Sequence, residues 1–237
     1  MGKHIAIFGA IKDEIAGIKN LMRIDDAIRW QTGNAFVGEW QGRPIVLVRS
    51  GMGCNSARDA LVGILGKYDL ECVISIGYAG ALDPALQVGE LVVADKVVHY
   101  DSQKSYSLNE ELISAMPEAR RGTLLTVDEV VATPPEKKAL REKYSAAVVD
   151  METSALAEEA EAHHLPFASV RAITDTADQE LIDCSHLVAE DGDVSKLKAG
   201  WHILTHPGDL KGMIDLGKHA KVATANLTVF VSQWIQE

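Results

Sequence analysis

The sequence predicts an α/β fold on a largely parallel sheet. Short β-rich runs recur along the chain, and most give way to glycine or polar residues and then to a helical pattern. Several of these runs are apolar on both faces, as expected of strands covered by helices on each side.

Taken in order, Ile5–Phe8 is the first strand, and the polar residues after it lead into a helix. Phe36–Trp40, Gln41-Gly42-Arg43-Pro44 and Ile45–Val48 read as a hairpin, so some antiparallel pairing is expected. Ala57–Leu65 has helical spacing, and Val73–Ile76 and Leu91–Val93 are further strands. Ala146–Val149 precedes a helix over Thr153–His163, with Ala155, Leu156 and Ala160 as the buried stripe and Glu158, Glu159 and Glu161 outward. Phe167–Ile173 closes the strand series. Asp183–Pro207 reads as polar turns, and Asp209–Trp234 as a helix. Pro134-Pro135 reads as a local interruption, and no low-complexity linker divides residues 1–237, which are read as one domain.

Composition excludes whole function classes. Of 237 residues, 47% are hydrophobic and 24% charged, which is neither a disordered nor a collagen-like chain. Lys+Arg number 23 against Asp+Glu 34, a net charge of −11, and a chain that acidic is unsuited to nucleic acid as its main partner. Apolar runs such as Ile45–Val48 are far too short to span a bilayer, so no membrane role is expected. The N-terminus enters a strand pattern at once, without a secretion signal, and Cys54, Cys72 and Cys184 are scattered; both point to the cytoplasm. The histidines lack an H-E-x-x-H arrangement, and His163-His164 reads as a helix end, so no metal is expected. Ser50-Gly51-Met52-Gly53 is not the G-x-S-x-G elbow of a serine hydrolase.

The informative polar residues fall at strand ends, where open α/β sheets bind ligands. Five groups stand there: Gly9-Ala10-Ile11-Lys12-Asp13-Glu14, Arg49-Ser50-Gly51-Met52-Gly53, Gly77-Tyr78-Ala79-Gly80, Asp150-Met151-Glu152 and Thr174-Asp175-Thr176-Ala177-Asp178. In a parallel sheet all five share one rim. Each has a structural reading too: glycines for turns, Glu14 and Glu152 for helix dipoles, Asp175 or Asp178 for caps. Arg171, inside an apolar strand, requires a carboxylate partner.

Read together, Gly9-Ala10-x-x-x-Glu14, Ser50-Gly51-Met52-Gly53, Gly77-Tyr78-Ala79-Gly80, Met151-Glu152 and Arg171–Asp178 resemble the nucleoside phosphorylase/nucleosidase superfamily over roughly residues 4–178. The familiar pattern they approach is that of methylthioadenosine/S-adenosylhomocysteine nucleosidases. The resemblance implies a three-layer α/β/α fold with a central mixed, partly barrel-like sheet. It implies cleavage of a purine nucleoside's N-ribosidic bond with no cofactor, by a homodimer or higher homo-oligomer. Asp175 matches the acid that protonates the departing purine, which calls for burial or nearby negative charge to hold its proton. Glu14 matches the carboxylate that orients and deprotonates water. Glu152 matches the residue that holds the ribose hydroxyls, with Met151 against the sugar and Arg171 near the water. Tyr78, Ala79 and Gly80 line the substrate side, and Val130 falls where an apolar side chain packs on the base.

Departures are visible. Tyr78 stands where the pattern has a small serine, and Asp150-Met151-Glu152 replaces Glu-Met-Glu. Residues 100–135 and the tail after Asp178 match little, resembling a divergent branch such as the futalosine- or adenosylhopane-cleaving relatives. Glu14 favours hydrolysis. Phosphorolysis is the alternative, with Ser50, Gly51, Gly53 and Arg49 or Arg58 as an anion pocket. A non-catalytic nucleoside-binding protein is the third reading.

Overall fold

The computed structural model describes residues 2–181 and 210–236, so the turns expected over 183–207 lie outside the described residues. The chain is mixed α/β. Its strands are β1 (His4–Gly9), β2 (Arg23–Arg29), β3 (Asn34–Trp40), β4 (Arg43–Arg49), β5 (Leu70–Ala81), β6 (Leu91–His99), β7 (Ser105–Ser107), β8 (Arg120–Thr126), β9 (Val148–Asp150) and β10 (Phe167–Asp175). The helices are α1 (Lys12–Leu21), α2 (Cys54–Leu65), α3 (Glu110–Ser114), α4 (Pro134–Tyr144), α5 (Thr153–Ala162) and α6 (Leu210–Gln236).

Strand β5 organises the sheet. It pairs in parallel with β1 and β10, and its last residues, Gly80 and Ala81, pair antiparallel with β9. From β10 the pairing runs to β6, β8 and β9 and so returns to β5, which closes five strands into a barrel. On the other side, β1 continues to β4, β3 and β2 as an open wing. The expected hairpin is β3–β4, turning through Gln41 and Gly42 with φ of 52° and 81°, the geometry of the tight turns that match strand twist.

The rim is not purely parallel, because β9 runs against β5. Convergence survives because β5 runs on past Gly77 and meets the end of β9 at Gly80, next to Asp150. Helices α1 and α6 pack together with β10 and β5 beneath them, and α2 and α5 pack as a second pair. The core is aliphatic: Ile45, Val46, Leu47, Val48, Val73 and Ile74 are each 0% exposed. In α5, Ala155, Leu156 and Ala160 are buried as the helical period requires. Among the described residues, no helix is long and apolar enough to cross a membrane.

Pro134-Pro135 is more than an interruption. The two prolines occupy the first turn of α4, where a missing N–H costs nothing, and Thr133 and Glu136 form a reciprocal capping box around them.

Candidate active site

The five strand-end groups meet. Glu14, at the third position of α1, is buried, and its carboxylate accepts three backbone N–H groups: Ala10 at 2.6 Å, Ile11 at 3.0 Å and Tyr78 at 2.8 Å. It therefore serves the helix end and faces the cavity at once. Burial pushes its pKa up, and the three amides and the Arg171 charge offset part of that rise. Ser50 N–H donates to the Gly9 carbonyl and Gly51 N–H to that of Ala10, which ties the loop after β4 to the loop after β1.

Glu152 stands at the N-cap position of α5, but its side chain leaves the helix end and accepts the Gly53 N–H at 2.7 Å. Burial first, then repulsion from Asp150 and Glu14, pushes its pKa up to about 8. Asp150 is occupied elsewhere. Its carboxylate accepts Arg171 Nε at 3.1 Å and Nη2 at 2.8 Å, the Thr126 hydroxyl at 2.8 Å and the Thr153 N–H at 3.1 Å. Arg171, 2% exposed, also donates to Ser75 Oγ and the Val170 carbonyl, so the cation demanded by the sequence is paired, and it lines the small cavity described below.

Asp175 ends β10, 4% exposed. Among the described residues, the charge that lies against it is positive. The fully buried Lys137 places its ammonium 2.6 Å from Asp175 Oδ2, and the Thr174 hydroxyl lies 3.0 Å from Oδ1. The glycines of β5 are explained by these carboxylates rather than by turns. A Cβ on Gly77 would come 2.7 Å from Glu14 Oε1, and one on Gly80 would come 2.9 Å from Asp175 Oδ2.

Two spaces result, which share Ala10, Glu14 and Glu152 in their walls. The larger, about 310 Å³, is lined by Glu14, Met52, Tyr78, Ala79, Gly80, Met151, Glu152 and Asp175, with Val127, Val130 and Val131 on one wall and Leu181 and Leu216 on another. A ligand of nucleoside size fits such a volume, with apolar walls for a base and carboxylates for hydroxyls. The smaller, about 10 Å³, lies between Glu14, Ser50, Ser75, Glu152 and Arg171. It has room for about one water-sized molecule.

Thus Glu14, Asp175, Met151, Glu152, Tyr78, Ala79, Gly80 and Val130 line the larger space, and Ser50 and Arg171 line the smaller with Glu14 and Glu152. Gly51 and Gly53 line neither: their N–H groups are spent on Ala10 and Glu152. Arg58, a candidate for an anion pocket, is engaged by Glu158 and Glu159. The Tyr78 phenol does not enter the small cavity. It turns toward α6, 2.5 Å from Thr224 Oγ1, while His219 Nδ1 lies 2.9 Å from the Thr174 carbonyl.

Sequence reasoning missed Lys137, although Lys137, Leu140 and Tyr144 share one helical face and the Thr133-x-x-Glu136 cap announces the helix. It also missed Ser75, whose partner Arg171 was visible. Cys54, His99 and Asp128 bring ligand atoms within 4.8 Å of one another. The Cys54 thiol, however, lies 3.4 Å from the Met151 carbonyl, and burial and three nearby carboxylates push its pKa up, which opposes the thiolate that a metal needs.

The family model of the phosphorylase superfamily matches residues 4–198. A 5′-methylthioadenosine/S-adenosylhomocysteine nucleosidase of Marinomonas sp. is 31% identical in a 204-position alignment that covers 74% of this chain and 87% of that protein. The structure is similar to that nucleosidase from Neisseria meningitidis in complex with methylthio-immucillin-A, with a TM-score of 0.79, 23% identity and 99% of each chain covered. It is also similar to futalosine hydrolase of Helicobacter pylori, with a TM-score of 0.76, 18% identity, and 99% of this chain and 97% of that one covered. The chain, which carries the superfamily's ordered motifs on this fold, belongs to the phosphorylase superfamily.

Proposed function

We propose that the protein is a nucleosidase that hydrolyses the N-ribosidic bond of an adenosine-type nucleoside carrying a modified 5′ group. The observation that carries this is the single-water cavity lined by Glu14 and Arg171, adjoining a nucleoside-sized space that Glu14, Glu152 and Asp175 line. The comparisons support the substrate class, since a 31% identical relative is named for methylthioadenosine and S-adenosylhomocysteine.

The bond breaks as positive charge develops on the ribose and negative charge on the base. Glu152 holds the ribose diol, Met151 packs against the sugar and Val130 covers the base. Asp175, carrying a proton in the substrate complex, delivers it to the purine and becomes a carboxylate beside the Lys137 ammonium, so the base leaves neutral. Glu14, its pKa raised by burial, takes a proton from water held between it and Arg171, and that water adds to the anomeric carbon. Acid and base act on opposite sides of the cleaved bond. The partner is the nucleoside alone. We further read the active form as a homodimer or higher homo-oligomer in the cytoplasm, on the family resemblance and the scattered cysteines.

Phosphorolysis would require an anion pocket in place of the water. The spent N–H groups of Gly51 and Gly53 and the paired Arg58 disfavour one. Incubation with 5′-methylthioadenosine tests the reading. Adenine and free methylthioribose should appear at the same rate with and without phosphate. A phosphate-dependent rate yielding the sugar 1-phosphate would overturn hydrolysis.

A further inference from the structure

We propose that Lys137 is a positioning residue for the acid step, holding Asp175 and the segment that follows it in the geometry that serves the base. This rests on the nucleosidase reading of Asp175. Lys137 is 0% exposed, in the first turns of α4. An ammonium has three N–H donors, and three acceptors are present: Asp175 Oδ2 at 2.6 Å, the Thr176 carbonyl at 2.8 Å and the Gln179 carbonyl at 3.0 Å. A buried lysine used only for packing would not need a carboxylate at the cavity wall as its partner, since an apolar side chain fills such a slot at lower cost.

The arrangement constrains two things at once. One oxygen of Asp175 is fixed by Lys137 and the other faces the Thr174 hydroxyl, so the carboxylate cannot rotate freely beside Gly80. The Thr176 and Gln179 carbonyls draw the segment after β10 into a turn, and the Leu181 N–H then reaches the Ala132 carbonyl. Leu181 thereby becomes part of the cavity wall. One side chain thus sets both the direction of the acid and the wall beside the ligand. A carboxylate displaced by an ångström from its acceptor can lose about a hundredfold in rate, because the proton must move within a near-attack geometry.

The test is a double-mutant cycle on cleavage of 5′-methylthioadenosine by the full-length protein, with Lys137→Met, Asp175→Asn and the pair. Lys137→Met should lower kcat roughly tenfold to a hundredfold and leave KM within about threefold. Added to Asp175→Asn it should cost almost nothing further, since it acts through the same group. Full activity in Lys137→Met, or losses that multiply in the pair, would overturn the proposal. If Lys137→Met does not fold, the pair, which removes both buried charges, and Lys137→Gln, which keeps a donor, decide. Lys137→Gln should then retain more activity than Asp175→Asn, and the pair should match Asp175→Asn. Lower values in either comparison count against it. Undiminished activity in Asp175→Asn alone would instead remove the acid reading on which the proposal stands.

Discussion

Glu152 accepts a hydrogen bond from the backbone N–H of Gly53, 99 residues earlier in the chain, at 2.7 Å. The contact joins the loop after β4 to the start of α5 and aims one carboxylate oxygen at the backbone, leaving the other for a ligand. It occurs in an environment that disfavours charge, and the Glu152 pKa stands near 8. The folded protein therefore binds this proton more tightly than the unfolded chain, whose glutamates titrate near about 4.3. Glu152 thus makes folding less favourable as pH rises from about 4.3 toward 8. Glu14, shifted in the same direction, adds to the effect. Thermal melts should show stability falling from pH 5 to 8, and Glu152→Gln should flatten that fall. An unchanged slope in the variant would contradict the assignment.

Glu14→Gln keeps the shape of the side chain but removes the base. Asp175→Asn removes the acid in the same way. Each should lower kcat by at least tenfold to about a hundredfold, with the fold retained. Steady-state adenine release, with circular dichroism as the folding control, checks both.

Gly77→Ala places a methyl group 2.7 Å from Glu14 Oε1, against a carboxylate already held by three amides. Neither side can give way freely. The variant should lose about 1–3 kcal/mol of stability and most of its activity. Urea denaturation and the same kinetic assay measure the two losses.

Arg171→Met leaves the buried Asp150 without its cation. The cost should be about 3–5 kcal/mol, and a second change, Asp150→Asn, should recover part of it. Equilibrium unfolding of both variants decides; recovery is the outcome that a purely steric defect would not give.

Much of this was legible in the residues. Strands with an apolar interior, such as Ile45–Val48 and Phe167–Ile173, announce themselves because both faces are buried. The outer strand β2 did not. Arg23–Arg29 is exposed almost throughout, so it carries no apolar periodicity to read. The barrel closure was implied only by the family resemblance, since pairing between β6, β8 and β9 is a long-range fact that local pattern does not encode. Among the site residues, Glu14 and Arg171 could be placed because the strand ends fix them. Lys137 could not, because its meaning depends on α4 folding back over Asp175. Tyr78 could be picked out as a departure from the small serine of the family pattern, but not its partner, because Thr224 lies 146 positions away on α6 and local spacing does not encode that contact.

The most direct measurement is a crystal structure with a purine nucleoside analogue whose cationic pyrrolidine replaces the ribose. Asp175 should lie within about 3.2 Å of N7, Glu152 should accept from the sugar-like hydroxyl, and Glu14 should face the anomeric position across the small cavity. A ligand seated with its base beyond hydrogen-bond reach of Asp175, or its ring away from Glu152, would contradict the account.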